Sequence, residues 1–509
     1  MGTLIVNLTR FGDVLQSQPL VAGLIAQGED VSYLCLDNFR GAAELLDGPQ
    51  GLHPLPGGRL LAGLDAGWPK ALSEVLGFSR GVAAAAAPDT VLNITPALSA
   101  RLLTRLLGPQ SGAGLGLEAH GFARDETPWA AYLQTASRFR GASPFNLVDV
   151  FCRVGGIAPG ARDYRLKKPA ADVDGLLALP AGARRLVGFQ LGASEERRRW
   201  PLAHFASVAR GLWENCAALP VILGARAERP LAERLVAAAG VPVLDLAGRT
   251  NLSELAAVTA RLDLLLTNDT GTMHLAAGLG TPILAVFLCT AQPWDTGPYL
   301  PGALCLEPDL PCHPCAFGTA CAHGLACRAA VVPEVVLALA QGFLQRGAWP
   351  EVNRNGARLW LTGREESGLM GLTPFAGTPA DDRYQWLSLL RRMLGQFLDG
   401  SLPREASEPG SHPAAAPRLR AVIDEAVGLC TLLAAQGELL SRLPLPAHKT
   451  RFLATWQRLG ALLAAEPRLA VIGALLVHEA EERGAELAAM LAVVARYARL
   501  LAGLGAALC

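Results

Sequence analysis

An apolar run at 264–267, a polar turn within TNDTGTMHLAAGLGTP and a second apolar run at 283–287 constrain this chain more than any other segment. Two short apolar strands joined through one Ala-rich helix fit the strand–helix alternation of a parallel doubly wound sheet. The chain opens the same way. Residues 3–8, TLIVNL, read as a buried strand, and after a Gly-containing loop VLQSQPLVAGLIAQG has helical apolar spacing closed by Gly. Strand-like runs at 31–36 and 90–94, then at 186–190, 221–223 and 243–246, extend the alternation into two series. Residues 163–184 mix charge, Pro and Gly as linkers do, which predicts two Rossmann-like domains, 1–165 and 185–345, facing a cleft. Ligands of such sheets bind beyond the carboxyl ends of the strands. Over 346–509 no clear strand series continues. Long helical stretches at 384–398 and 419–443 predict an all-helical C-terminal extension, with a Pro/Ser/Ala-rich linker at 401–417.

Composition narrows the function classes. Lys plus Arg and Asp plus Glu both number 45, so no global positive field exists to attract nucleic acid. The N-terminus has no basic region ahead of its apolar run and no small-residue cleavage site, and reads as a strand of a cytoplasmic protein rather than a signal peptide. The apolar stretch 484–509 is interrupted by Glu486, Arg496 and Arg499, which favours a packed helix over a membrane span. Eleven cysteines in a chain of 509 residues do not suggest a disulfide scaffold.

Three loops carry candidate chemistry. Asp269, Thr270 and Gly271 are expected to turn the chain into a helix beginning near Thr272, whose unsatisfied N–H groups suit a diphosphate leaving with negative charge. Asp269 is placed to bond sugar hydroxyls, and His274, one turn on, either faces the same site or packs inside the helix layer. In GASEERRRWPLAHF, residues 192–205, three arginines before a Trp-Pro helix start read as an anion clamp or as a solvated basic face. In TRFGDVLQSQPL, residues 9–20, Asp13 is either an acid facing the cleft or the cap of the next helix.

The Asp-Thr-Gly-x-x-His segment from Asp269 to His274, with its following alanines, resembles the signature of glycosyltransferase family 9, the ADP-heptose-dependent heptosyltransferases. Arg198 with Trp200 and Pro201 matches a [KR]-x-W-P pattern of that family, and Arg10, Gly12 and Asp13 match its R-x-G-D. The resemblance covers roughly 1–345. It implies the GT-B fold, an ADP-linked heptose donor and a glycolipid acceptor, a lipopolysaccharide core sugar. It makes Asp13 the general base of an inverting transfer, with Arg10 holding acceptor or phosphate. Ser194 and Arg198 would meet the diphosphate, Glu228 the ribose and Thr250 the adenine, with Asp269, Thr270, Gly271 and His274 also at the donor. Ala193 stands where relatives carry a hydroxyl, which removes one contact. No metal is implied for catalysis, since helix dipole and basic side chains stabilise the leaving group. The D-x-D of Asp172 and Asp174 falls in the proposed linker.

The cysteines Cys312, Cys315, Cys321 and Cys327 are spaced C-x2-C-x5-C-x5-C. That spacing allows a structural zinc or iron site and equally a metal-free loop. The resemblance leaves both open, because protein-modifying relatives hold iron in a cysteine-rich finger while lipopolysaccharide enzymes carry a similar segment without an established metal. Two further functions compete with glycolipid transfer: transfer to a protein acceptor, as in autotransporter glycosylation, and a noncatalytic sugar-nucleotide-binding assembly protein. The joint presence of Asp13, Arg198 and Asp269 argues against lost catalysis. The family implies work at the inner face of the cytoplasmic membrane, with peripheral contact, and leaves the oligomeric state open.

Overall fold

The structure, a computed structural model, describes residues 1–108, 112–136, 138–177, 179–401, 416–483 and 486–508. The chain divides into two compact units, Met1–Ser111 with Asn146–Pro379, and Gly112–Phe145 with Ala380–Cys509.

The first lobe of the first unit holds strands β1 (Gly2–Asn7), β2 (Asp30–Leu36), β3 (Gly51–Leu55) and β4 (Thr90–Asn93). Its helices are α1 (Phe11–Gln16), α2 (Gln18–Ala26), α3 (Arg40–Glu44), α4 (Gly57–Ala66), α5 (Trp68–Ala86) and α6 (Leu98–Leu107). The strands are parallel in the order β3-β2-β1-β4. Strands β5 (Gly112–Leu117) and β6 (Ala123–Asp125) and helix α7 (Pro128–Ala136) follow in the chain and belong to the second unit. Helix α8 (Leu147–Val154) returns to the first and packs on α2.

The second lobe contains β7 (Arg185–Gln190), β8 (Ala218–Leu223), β9 (Leu244–Asp245), β10 (Leu264–Asn268), β11 (Ile283–Val286), β12 (Leu304–Pro308), β13 (Ala357–Arg364) and β14 (Met370–Pro374). Between and beside them run α9 (Leu202–Cys216), α10 (Arg229–Ala239), α11 (Leu252–Ala260), α12 (Gly271–Leu279), α13 (Pro293–Thr296), α14 (Ala326–Ala330) and α15 (Pro333–Arg346). The sheet order is β14-β13-β12-β11-β10-β7-β8-β9. It is parallel from β12 to β9, and its residues Val187, Phe189, Leu264, Leu266, Leu284 and Leu304 are fully buried. Strand order reverses between β7 and β10, and crevices at such a switch point bind ligands.

Two expectations change. The extension 346–509 is not all helical, because β13 and β14 form an antiparallel hairpin on β12. Its charged turn GREESG disguises the pairing, although Leu359 and Trp360 are buried as firmly as any strand residue. The stretch 163–184 is also not a plain linker. Tyr164 and Leu166 are buried against α12, and the Leu166 N–H donates to the Gly278 carbonyl at 2.9 Å.

The second unit adds α16 (Asp382–Leu398), α17 (Ala416–Arg442), α18 (Pro446–Ala465), α19 (Ala470–Arg483) and α20 (Leu487–Ala506). The predicted linker at 401–417 lies outside the described residues, except for 401, 416 and 417. Trp129, Tyr132 and Phe145 stack edge to face beneath Arg391, whose guanidinium donates to the Pro144 carbonyl at 2.6 Å. Among the described residues α20 alone is long and apolar enough to cross a membrane. Its Val493, Val494, Tyr497, Leu500, Leu501 and Leu504 are buried, it packs on α17, and Arg496 pairs with Glu479.

Candidate functional site

The loop after β1 is set by a buried polar network. Asn7, at the end of that strand, donates through Nδ2 to the Tyr33 hydroxyl at 2.9 Å and to the Asp13 carbonyl at 3.2 Å, while Ser17 bonds the same hydroxyl. Burial pushes the Tyr33 phenol well above its ordinary pKa, so it remains a neutral hydrogen-bonding post. The helix expected after Asp13 starts earlier, at Phe11, and Asp13 becomes its third residue. The Asp13 carboxylate accepts the Arg10 N–H at 3.3 Å. The capping role is therefore present, and it leaves the residue half-buried beside the second lobe.

That proximity follows from two glycines. A Cβ on Gly12 would stand 2.8 Å from Cδ2 of His274 and 3.5 Å from Cα of Gly271, and a Cβ on Gly271 would collide with the Phe11 ring. Without side chains at these positions, α1 and α12 touch end to end, and the loop bearing Asp13 lies against the turn Asp269–Thr270–Gly271. His274 is buried one turn into α12, and the Tyr164 hydroxyl donates to its carbonyl at 3.0 Å. His274 packs in the helix layer beside Gly12, where the two lobes meet.

Across the switch point the three consecutive arginines are not a solvated face at their centre. Arg198 is 7% exposed, donates from Nη1 to Ser194 at 2.7 Å and forms an ion pair through Nη2 with Asp269. Its Nε is buried and without a hydrogen-bond partner among the described residues, which leaves a donor for an anion. The Thr296 hydroxyl lies 3.5 Å from the same Asp269 oxygen. Asn268, absent from the expected site, holds this geometry. Its Nδ2 reaches the carbonyls of Gln190, Leu191 and Gly192, and its Oδ1 accepts the Trp200 N–H at 2.9 Å.

Glu228 belongs to the same network. It accepts from Gln190 at 3.0 Å and from the Ala225 N–H at 2.7 Å, and Gln190 in turn accepts from Thr272. Thr250 is half-buried in the loop before α11, whose first turn is capped by Asn251 and Glu254. Among the described residues no hydrogen bond joins Thr250 to the Arg198 cluster, so it stands apart from the residues that converge. Asp174, of the D-x-D pair, pairs with Arg261 at an exposed site.

The cysteine segment is anchored by a pair the sequence did not suggest. His313 Nε2 lies 3.0 Å from fully buried Glu307, which also accepts from Trp360 at 2.8 Å. Cys312, Cys315, Cys321 and Cys327 line one surface pocket. Among the described residues they do not form a group of three ligand atoms within 4.8 Å of one another. Burial and the neighbouring Cys289 push the Cys315 thiol up to about 12, whereas the N–H groups of His323 and Leu325 lower that of exposed Cys321.

The family model for glycosyltransferase family 9 (heptosyltransferase) matches residues 155–324. The chain is 32% identical over 236 residues to lipopolysaccharide heptosyltransferase 1 of Pseudomonas aeruginosa, covering 45% of this chain and 61% of that protein. It is 32% identical over 111 residues to lipooligosaccharide heptosyltransferase 2 of Haemophilus influenzae, covering 21% and 32%. The chain thus spans less than two thirds of the length of these relatives. Among solved structures, E. coli ADP-heptose lps heptosyltransferase II superposes with a TM-score of 0.50 at 17% identity, over 68% of this chain and 99% of that one. The two parallel sheets with reversed strand order have the GT-B fold, and residues 155–324 are similar to glycosyltransferase family 9.

Proposed function

We propose that the protein is an inverting glycosyltransferase that moves heptose from ADP-heptose to a sugar of the lipopolysaccharide core at the cytoplasmic face of the membrane. The observation that carries this reading is the meeting of the Asp13 loop with the turn Asp269–Thr270–Gly271, beside buried Arg198. A donor whose diphosphate sits at the N-terminus of α12 would present its anomeric carbon toward the first lobe. There Asp13 takes the proton of the attacking hydroxyl as the bond to ADP breaks. Arg198, Ser194 and the N–H groups of α12 receive the charge of the departing ADP, which removes the need for a metal ion. Glu228 would accept the ribose hydroxyls. Arg10 stands at the mouth of the same loop, exposed and suited to an acceptor phosphate.

The second unit, which lies outside the residues matched by the family model, is the observation that favours a second reading with a polypeptide acceptor. Incubation with ADP-heptose and, separately, a core glycolipid and an unfolded polypeptide tests both. ADP release with the glycolipid alone supports the first reading, and release with the polypeptide alone supports the second. Nucleotide binding without ADP release in either case contradicts both and leaves a noncatalytic binding protein.

A further inference from the structure

Metal-ligating side chains converge in the second unit, far from the nucleotide-binding lobe in sequence. Asp125 ends β6, and His478 and Glu482 stand four residues apart on α19, which places them on one helix face. His478 Nε2 lies 2.7 Å from Asp125 Oδ2 and 3.6 Å from Glu482 Oε1. The Asp125 N–H donates to the same Glu482 oxygen at 2.8 Å and so fixes the carboxylate in place. All three ligand atoms lie within 4.8 Å of one another, the only such group among the described residues.

Burial distinguishes this cluster from a surface ion pair. The Asp125 side chain is fully buried and that of Glu482 is 12% exposed, so two carboxylates crowd one imidazole with little water to screen them. Ligands held about 2.1 Å from one ion stand about 3.0 Å apart at octahedral angles and about 3.4 Å apart at tetrahedral ones. The separations of 2.7 and 3.6 Å bracket those values. One imidazole with two carboxylates suits zinc or manganese, whereas calcium and magnesium favour all-oxygen sets.

We propose that Asp125, His478 and Glu482 bind one divalent transition-metal ion that staples the β5–β6 hairpin to α19 within the second unit. Three protein ligands leave at least one coordination position to water. In the ion's absence the same groups form the hydrogen-bonded latch described above.

The test uses the full chain, stripped with a chelator and titrated calorimetrically with zinc chloride, manganese chloride and magnesium chloride in separate runs. The expected result is saturable binding of zinc or manganese near one equivalent, no comparable heat with magnesium, and a higher unfolding temperature when loaded. His478→Asn and Glu482→Gln should each weaken binding by at least about tenfold, whereas a Cys312→Ser/Cys315→Ser variant should bind as the parent does. Cobalt substitution supplies a readout that needs no variant, because the proposed ligands predict a spectrum without thiolate-to-metal charge transfer. Absence of saturable binding, a thiolate band, or binding abolished only by the cysteine changes would overturn the proposal.

Discussion

At the scale of single residues, the site depends on a buried charge pair that each partner needs. Arg198 and Asp269 are both almost fully withdrawn from water, and removing one leaves the other as an uncompensated buried charge. Asp269→Ala should therefore lower folding stability by about 3–5 kcal/mol. The double Arg198→Ala/Asp269→Ala variant should lose less than the sum of the two single changes, and urea unfolding of the four proteins measures the coupling. Donor affinity should fall in every variant lacking Arg198. The cysteines supply a second residue-scale prediction. Two N–H groups favour the thiolate of Cys321, while burial favours the neutral thiol of Cys315, so at pH 7 Cys321 is the more ionised. Iodoacetamide should label Cys321 first and Cys315 much later, as followed by peptide mass mapping; the reverse order would refute this environment.

At the scale of elements, the β13–β14 hairpin belongs to the second lobe's sheet and not to the helical tail. Trp360 is buried in β13, and its indole donates to Glu307 beneath the cysteine segment. Trp360→Ala should cost about 3–5 kcal/mol through the cavity it leaves, measured by denaturant unfolding, and should also expose His313 to solvent; a change below 1 kcal/mol, about the size of a surface substitution, would contradict this placement. The parallel series was legible in the sequence because strands such as 264–267 and 283–287 are uniformly apolar and lie next to Gly-containing turns. The hairpin was not, because the charges of GREESG resemble a loop and its pairing partner, β12, lies about fifty residues away. The loops bearing Asp13, Arg198 and Asp269 were also legible, since their residue types sit directly after strands. Asn268 and Gln190 were missed because each looks like an ordinary strand end until the carbonyls and carboxylate they hold are brought beside them.

At the scale of the whole molecule, sequence separation limits what can be read. Asp125 and His478 are 353 residues apart, and no local pattern marks their meeting. The compact division also cuts across chain order: 112–145 joins the C-terminal helices, whereas 346–379 completes the first unit. Within that first unit, α1 and α12 bring the ends of two parallel sheets together, and the proposed chemistry rests on this meeting. Asp13→Asn tests it most directly, because the change keeps size and hydrogen bonding while removing the base. With ADP-heptose and the productive acceptor, turnover should fall by roughly 100- to 10,000-fold while donor affinity in calorimetry stays near that of the parent. Turnover close to the parent's, or donor binding lost in parallel with turnover, would contradict the account.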